Sequence, residues 1–153
     1  MRKKFSIPVA TVSINNFYYG DKRHGIRTEC REWQHRVMHY LSSAEYKQSF
    51  KDLRDYFNPE VHSIHIAITA VMPHLYTAKE ALSSKAHDCT NFEKPIVDLL
   101  CLPSYYGTNA PYSMLNLNVD DKYVTRVIST KCHGLADRLD IIIKVVNRPK
   151  VVK

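Results

Sequence analysis

A chain of 153 residues, 44% apolar and 24% charged, is long enough for one hydrophobic core and has the composition of an ordinary soluble globule. No apolar run reaches the roughly 18 residues of a membrane span, and the opening MRKKFSIPVATVS lacks a signal peptide's apolar centre, so the expected compartment is the cytoplasm. The net charge of +7 favours a polyanionic partner through counterion release, the other reading being a charge that serves solubility alone.

The first predicted element is a strand in FSIPVATVSI, with Pro8 near its start, where an edge strand tolerates a missing N–H. The polar and aromatic stretch NNFYYGDKRHGIRT follows as a loop. From about Glu29 the period becomes helical, with Trp33, Val37 and Leu41 on one face. Ser42 and Glu45 form a capping-box pattern, which starts a second helical segment carrying Tyr46, Phe50, Leu53 and Phe57 inward. Asn58 precedes a proline and ends it.

VHSIHIAITAVM alternates and predicts a second strand closed by Pro73, with Ile64, Ile66, Ile68 and Ala70 on one face. HLYTAKEALSSKAHD shows no period and is expected to be a mobile basic connection. TNFEKPIVDLLC restores a helical stripe in Phe92, Ile96, Leu99 and Leu100. A long loop containing Pro103, Gly107 and Pro111 leads to two final strands, KYVTRVISTK and ADRLDIIIKVV. The expected fold is an α/β (α+β) single domain over residues 1–153, a mixed β-sheet flanked by helices in the order β-α-β-α-β-β.

Cys30, Cys89, Cys101 and Cys132 are far apart with no Cys-x-x-Cys pair, which argues for reduced thiols and against zinc. The acidic residues at element boundaries are more informative. Asp88 precedes the short helix, and Asp120 and Asp121 precede the third strand. If the second and third strands are neighbours, these carboxylates can meet at one rim of the sheet. A hard divalent ion such as magnesium, which takes one or two carboxylates plus substrate phosphate, suits that arrangement. The other reading is that all three are turn residues.

Lys94 and Asp98 lie one helical turn apart, on the face opposite Phe92 and Ile96. They are either a surface pair or a lysine held near a metal-bound phosphate. The helix cap is open between Lys94, which would put Pro95 in the favoured first position, and Thr90 with Glu93 as its capping box.

The run DCTNFEKPIVDLL, the later VDDKYV and the opening IPVATVSINNFYYG together resemble the RusA family of Holliday junction resolvases, in the right order across nearly the whole chain. The resemblance implies a homodimer in a bacterial or phage-infected host cell that binds four-way or other branched DNA. It further implies paired nicking in recombination and repair, by magnesium-dependent (or manganese-dependent) endonuclease chemistry. Asp88 and Asp121 match the family's metal-binding aspartates, with Asp120 beside them, and Lys94 matches its essential lysine. Asn91 matches the asparagine before that lysine, and Lys131 a basic residue of the third strand. Asn15, Asn16 and Tyr18 match the loop after the first strand and would contact DNA; the loop cations Lys22, Arg23, His24 and Arg27, and the segment 79–85, are candidates for DNA backbone contacts or else solvated charge runs.

Two departures stand out. Thr90 replaces the second aspartate of the first motif, which leaves Glu93 as an additional metal ligand or leaves the metal with more water. The loop from Leu99 to Val119 is longer than in the family, and its Tyr105, Tyr106 and Tyr112 either stack on opened bases or pack the loop. The alternative from another class is a branched-DNA-binding protein of the same fold with weak or no catalysis; a basic interaction protein without a DNA role is the third.

Overall fold

A computed structural model describes residues 1–13, 28–84, 88–101 and 116–152 of the chain. Strand β1, Arg2–Ile7, begins earlier than its apolar residues suggest and ends before Pro8, which lacks the N–H needed to continue a ladder. Helices α1 (Thr28–Leu41) and α2 (Ala44–Tyr56) follow, then strand β2 (His62–Met72). Helix α3 spans Cys89–Cys101, and a 3-10 turn at Asp121–Tyr123 leads into strands β3 (Val124–His133) and β4 (Arg138–Asn147).

The four strands form one mixed sheet in the order β1-β4-β2-β3. β2 and β3 are parallel; β4 pairs antiparallel with both β1 and β2. The β-α-β-α-β-β order is therefore the one present, with the first helical region divided into two helices. Parallel neighbours need a long crossover, and α3 lies within the one that joins β2 to β3.

All three helices lie on one face of the sheet. Phe5 and Ile7 of β1, Ile64, Ile66 and Ile68 of β2, and Ile141 and Ile143 of β4 are buried there with Trp33, Val37 and Leu41 of α1 and Phe50 and Leu53 of α2. Each such side chain removed from water contributes roughly 1.5–3 kcal/mol before chain entropy is counted. The Phe5 and Phe50 rings stack with centroids 4.4 Å apart. Tyr46 closes the outer edge of β1: its hydroxyl accepts from the Ser6 N–H at 2.9 Å and donates to the Ser6 carbonyl at 3.0 Å.

Two local expectations change. Ser43, not Ser42, caps α2 by accepting from the Tyr46 N–H at 3.2 Å, because the Ser42 hydroxyl donates to the His39 carbonyl at the end of α1. Of the segment after Pro73, residues 74–84 are folded back on themselves and not an open connection. Leu75 is buried, Tyr76 bridges to Leu82, and the Thr77 N–H donates to the Ala81 carbonyl at 2.7 Å.

On the opposite face, Asp140 accepts from the Ser6 hydroxyl and from Arg138. Burial works to raise its pKa, but the Ser6 and Arg138 bonds outweigh it and hold the carboxyl below the usual carboxylate range. A depressed pKa stabilises the fold above the unfolded value near 3.9, and the contribution is lost as pH falls through the folded value. The stability gap between the wild type and Asp140→Asn should thus narrow in denaturant melts taken below about pH 4.

Candidate functional site

The acidic residues are placed by how α3 begins and ends. Asp88 directly precedes the helix, and its carbonyl accepts from the Asn91 N–H at 2.9 Å. Thr90 is then the second helical residue and not the cap, so neither proposed cap, Lys94 or Thr90, is the one present. Thr90→Val should therefore cost no more than about 0.5 kcal/mol in a thermal melt, as for other exposed positions. Pro95 is buried inside the helix, where it removes the N–H that would bond the Asn91 carbonyl. The expected stripe of Phe92, Ile96, Leu99 and Leu100 is buried.

Asp98 differs from its expected position. It is only 3% exposed, whereas Lys94, whose ammonium lies 3.0 Å from its Oδ2, remains half exposed. A pair drawn on one solvent-facing stripe is in fact a buried carboxylate met by a lysine from outside.

The C-terminal end of α3 is closed by the segment that returns to the sheet. Asn116 is fully buried; its Nδ2 donates to the Leu99 carbonyl at 3.1 Å and its Oδ1 accepts from the Asn118 N–H at 3.0 Å. The Leu117 N–H donates to the Leu100 carbonyl at 2.9 Å, and Arg54 of α2 donates to the Asn116 carbonyl at 2.6 Å. Carbonyls that a helix end leaves open are thus satisfied, and the chain is aimed at Asp120. The Asp120 carboxylate accepts from the Lys122 N–H at 2.9 Å and caps the 3-10 turn that begins with Asp121.

Asp98, Asp120 and Asp121 surround the buried Cys101 closely enough to act on it. Burial first, then the charges of Asp121, Asp98 and Asp120, push the Cys101 thiol up to about 12. This corner joins the end of α3 to the start of β3. It holds two exposed carboxylates, one buried carboxylate and Lys94.

Asp88 is not part of it. α3 runs antiparallel to β3, because Glu93 near the helix start bonds Ser129 while Cys101 at the helix end lies near Asp121. The 13 residues of α3 span about 20 Å at 1.5 Å each, so Asp88 and Asp121 stand at opposite ends of the crossover. β2 and β3 are indeed neighbours, as the rim argument required. A parallel pair nevertheless puts the exit of one strand and the entrance of the next at opposite edges.

Glu93 is likewise held in place, accepting from the Ser129 hydroxyl at 2.7 Å across the helix–strand contact. Lys131 follows two residues later on the same side of β3, toward the end where Asp88 lies. Asn91 is half-buried in the first turn of α3. Asn15, Asn16, Tyr18, Lys22, Arg23, His24, Arg27, Lys85, Tyr105, Tyr106 and Tyr112 fall outside the described residues.

Among the described residues no group of three His, Cys, Asp or Glu side chains could hold a metal ion. Asp120 and Asp121 do fit the smaller demand of magnesium, one or two carboxylates with water and phosphate completing the shell. Sequence reasoning missed Asn116 and Arg54, which position this corner, and it misplaced Asp98. The available signal was the Asn116-Leu117-Asn118 run just ahead of the Asp120–Asp121 pair. No described helix is long and apolar enough to cross a membrane. The chain matches no protein-family model and no curated protein sequence.

Proposed function

We propose that the chain is a structure-selective endodeoxyribonuclease of the RusA type, which binds four-way or other branched DNA and nicks it with magnesium as cofactor. The observation that carries this reading is the motif order itself: Asn91, then the paired Lys94 and Asp98 on one helix, followed in the chain by Asp120 and Asp121 at the entrance of the adjoining strand. The charge of +7 supports a nucleic-acid substrate.

In this reading Asp121, with Asp120 beside it, would hold the metal. Magnesium bound there would supply an activated water and charge neutralisation at the scissile phosphate. Asp98 holds the Lys94 ammonium at the corner, where it faces an incoming phosphate oxygen. Asn116 and Arg54 keep the backbone before Asp120 fixed, so that the carboxylates need no reordering when DNA arrives. Two opposed nicks call for two sites, which a two-fold dimer presents with matching symmetry.

The distance between Asp88 and Asp121 favours a second reading, a branched-DNA-binding protein of the same fold that cleaves weakly or not at all. One experiment separates the two. A labelled synthetic four-way junction is incubated with the protein in magnesium, in calcium and in EDTA, and nicking and retardation are scored together. Nicking confined to magnesium (or manganese) supports the nuclease. Tight retardation without nicking in any metal supports the binding protein, and no preference for junction over linear duplex removes both.

A further inference from the structure

The sheet face turned away from the helices carries a pattern that no single strand shows. Arg2 pairs with Lys144, Lys144 with His65, and His65 with Arg126. These four side chains alternate with the buried Phe5, Ile64, Ile66 and Ile143 and so point to the opposite face. They make one continuous basic row across all four strands. At about 4.8 Å between strands the row is roughly 14 Å long. Arg2, Lys144 and Arg126 are exposed, as is Lys4, which flanks the row on β1.

The next row is Lys4, Ile142, Ala67 and Ile128, and the one after it Ser6, Asp140, Thr69 and Thr130. Asp140 is the acidic side chain that the strands place on this face, and its charge is already answered by Arg138. No helix among the described residues packs there.

We propose that this face is a docking surface for the phosphodiester backbone of a duplex DNA arm, laid along the row from Arg2 to Arg126. Charge complementarity selects the occupant. Duplex DNA offers one negative charge per roughly 1.7 Å of axis, so a 14 Å row meets several phosphates. A second copy of this chain packed face to face would bring unanswered cations into a buried interface, which is costly. A single strand read by base stacking would need aromatic platforms, and the one aromatic ring of Phe, Tyr or Trp type in the four strands, Phe5, is buried on the other side.

Position adds to the argument. The row crosses the sheet at the end where β3 begins, and Arg126 follows the Asp120–Asp121 corner by only a few residues. A backbone that follows the row from β1 to β3 is led to that corner. This last step rests on the nuclease reading above; the docking surface itself does not.

The test uses the full chain and fluorescence anisotropy with a labelled linear duplex and a labelled four-way junction, in calcium. The double variant Arg126→Gln/Lys144→Gln should bind both DNAs at least about tenfold more weakly and lower the slope of log affinity against log salt by about 2. The control Arg36→Gln/Lys47→Gln removes two exposed cations from the helical side and should change affinity by less than about twofold. The conservative double variant Arg126→Lys/Lys144→Arg should restore affinity, which separates charge from loss of fold. Equal losses in the row and control variants, or none in either, overturn the docking surface. A row variant that sediments as a tighter dimer also overturns it, by showing a second copy as the occupant. Wild-type protein that binds duplex through the row without preferring the junction leaves the surface standing and sinks the branched-DNA reading.

Discussion

Asp121→Asn should abolish magnesium-dependent nicking of a four-way junction while leaving junction binding in calcium unchanged or slightly tighter. Replacing groups behind a metal ligand typically costs 10–100-fold, so losing a ligand carboxylate at a two-carboxylate corner should exceed roughly a hundredfold. Binding should survive because the carboxylate repels phosphate and contributes nothing to holding it. The fold should survive as well, since Asp121 is exposed and the cap of its turn is Asp120. Nicking rate and anisotropy, measured on the same preparation, check both halves of the statement. Asp88→Asn is the informative companion. A loss as deep as that of Asp121→Asn would mean that an acidic residue about 20 Å away along α3 serves the same chemistry, as the family resemblance implies. Full activity in Asp121→Asn would take the corner out of the mechanism.

Asn116→Ala should be the most destabilising polar truncation near the site. It removes the donor to the Leu99 carbonyl and the acceptor for the Asn118 N–H, both within a fully buried residue. Leaving these groups without partners costs about 2–3 kcal/mol. For a chain of this size that corresponds to a fall in melting temperature of roughly 4–12 °C. Nicking should fall further than stability, since the backbone that carries Asp120 and Asp121 loses its anchor on α3. Asn116→Asp retains the acceptor but sets a buried carboxylate against the Leu99 carbonyl, and should melt no higher than Asn116→Ala. A variant with wild-type melting would show that Arg54 and Leu117 alone hold the segment.

Much of the architecture can be derived from local pattern. Alternation in Ile64, Ile66 and Ile68, and in Leu139, Ile141 and Ile143, defines two strands and names their buried faces, because a one-residue slip would turn every isoleucine to water. Trp33, Val37 and Leu41, and Phe92, Ile96 and Leu99, define helical stripes for the same reason at the other period. Net charge, a sum over residues, is independent of fold, and it carries the case for a polyanionic partner.

What periodicity cannot supply is direction and depth. Whether Asp88 meets Asp121 depends on the sense in which α3 crosses between β2 and β3, and a parallel pair forces the crossover helix to run antiparallel to both strands. Which serine caps α2 depends on the carbonyl that the preceding helix leaves open. The burial of Asp98 does not follow from its helical spacing, since Lys94 one turn before it stays half exposed. The basic row arises only when four strands are set in register, since each contributes one basic side chain that looks ordinary by itself. Local pattern decided which residues are inside; only the tertiary structure decided which functional groups are neighbours, because strand order and crossover sense are properties of the whole chain.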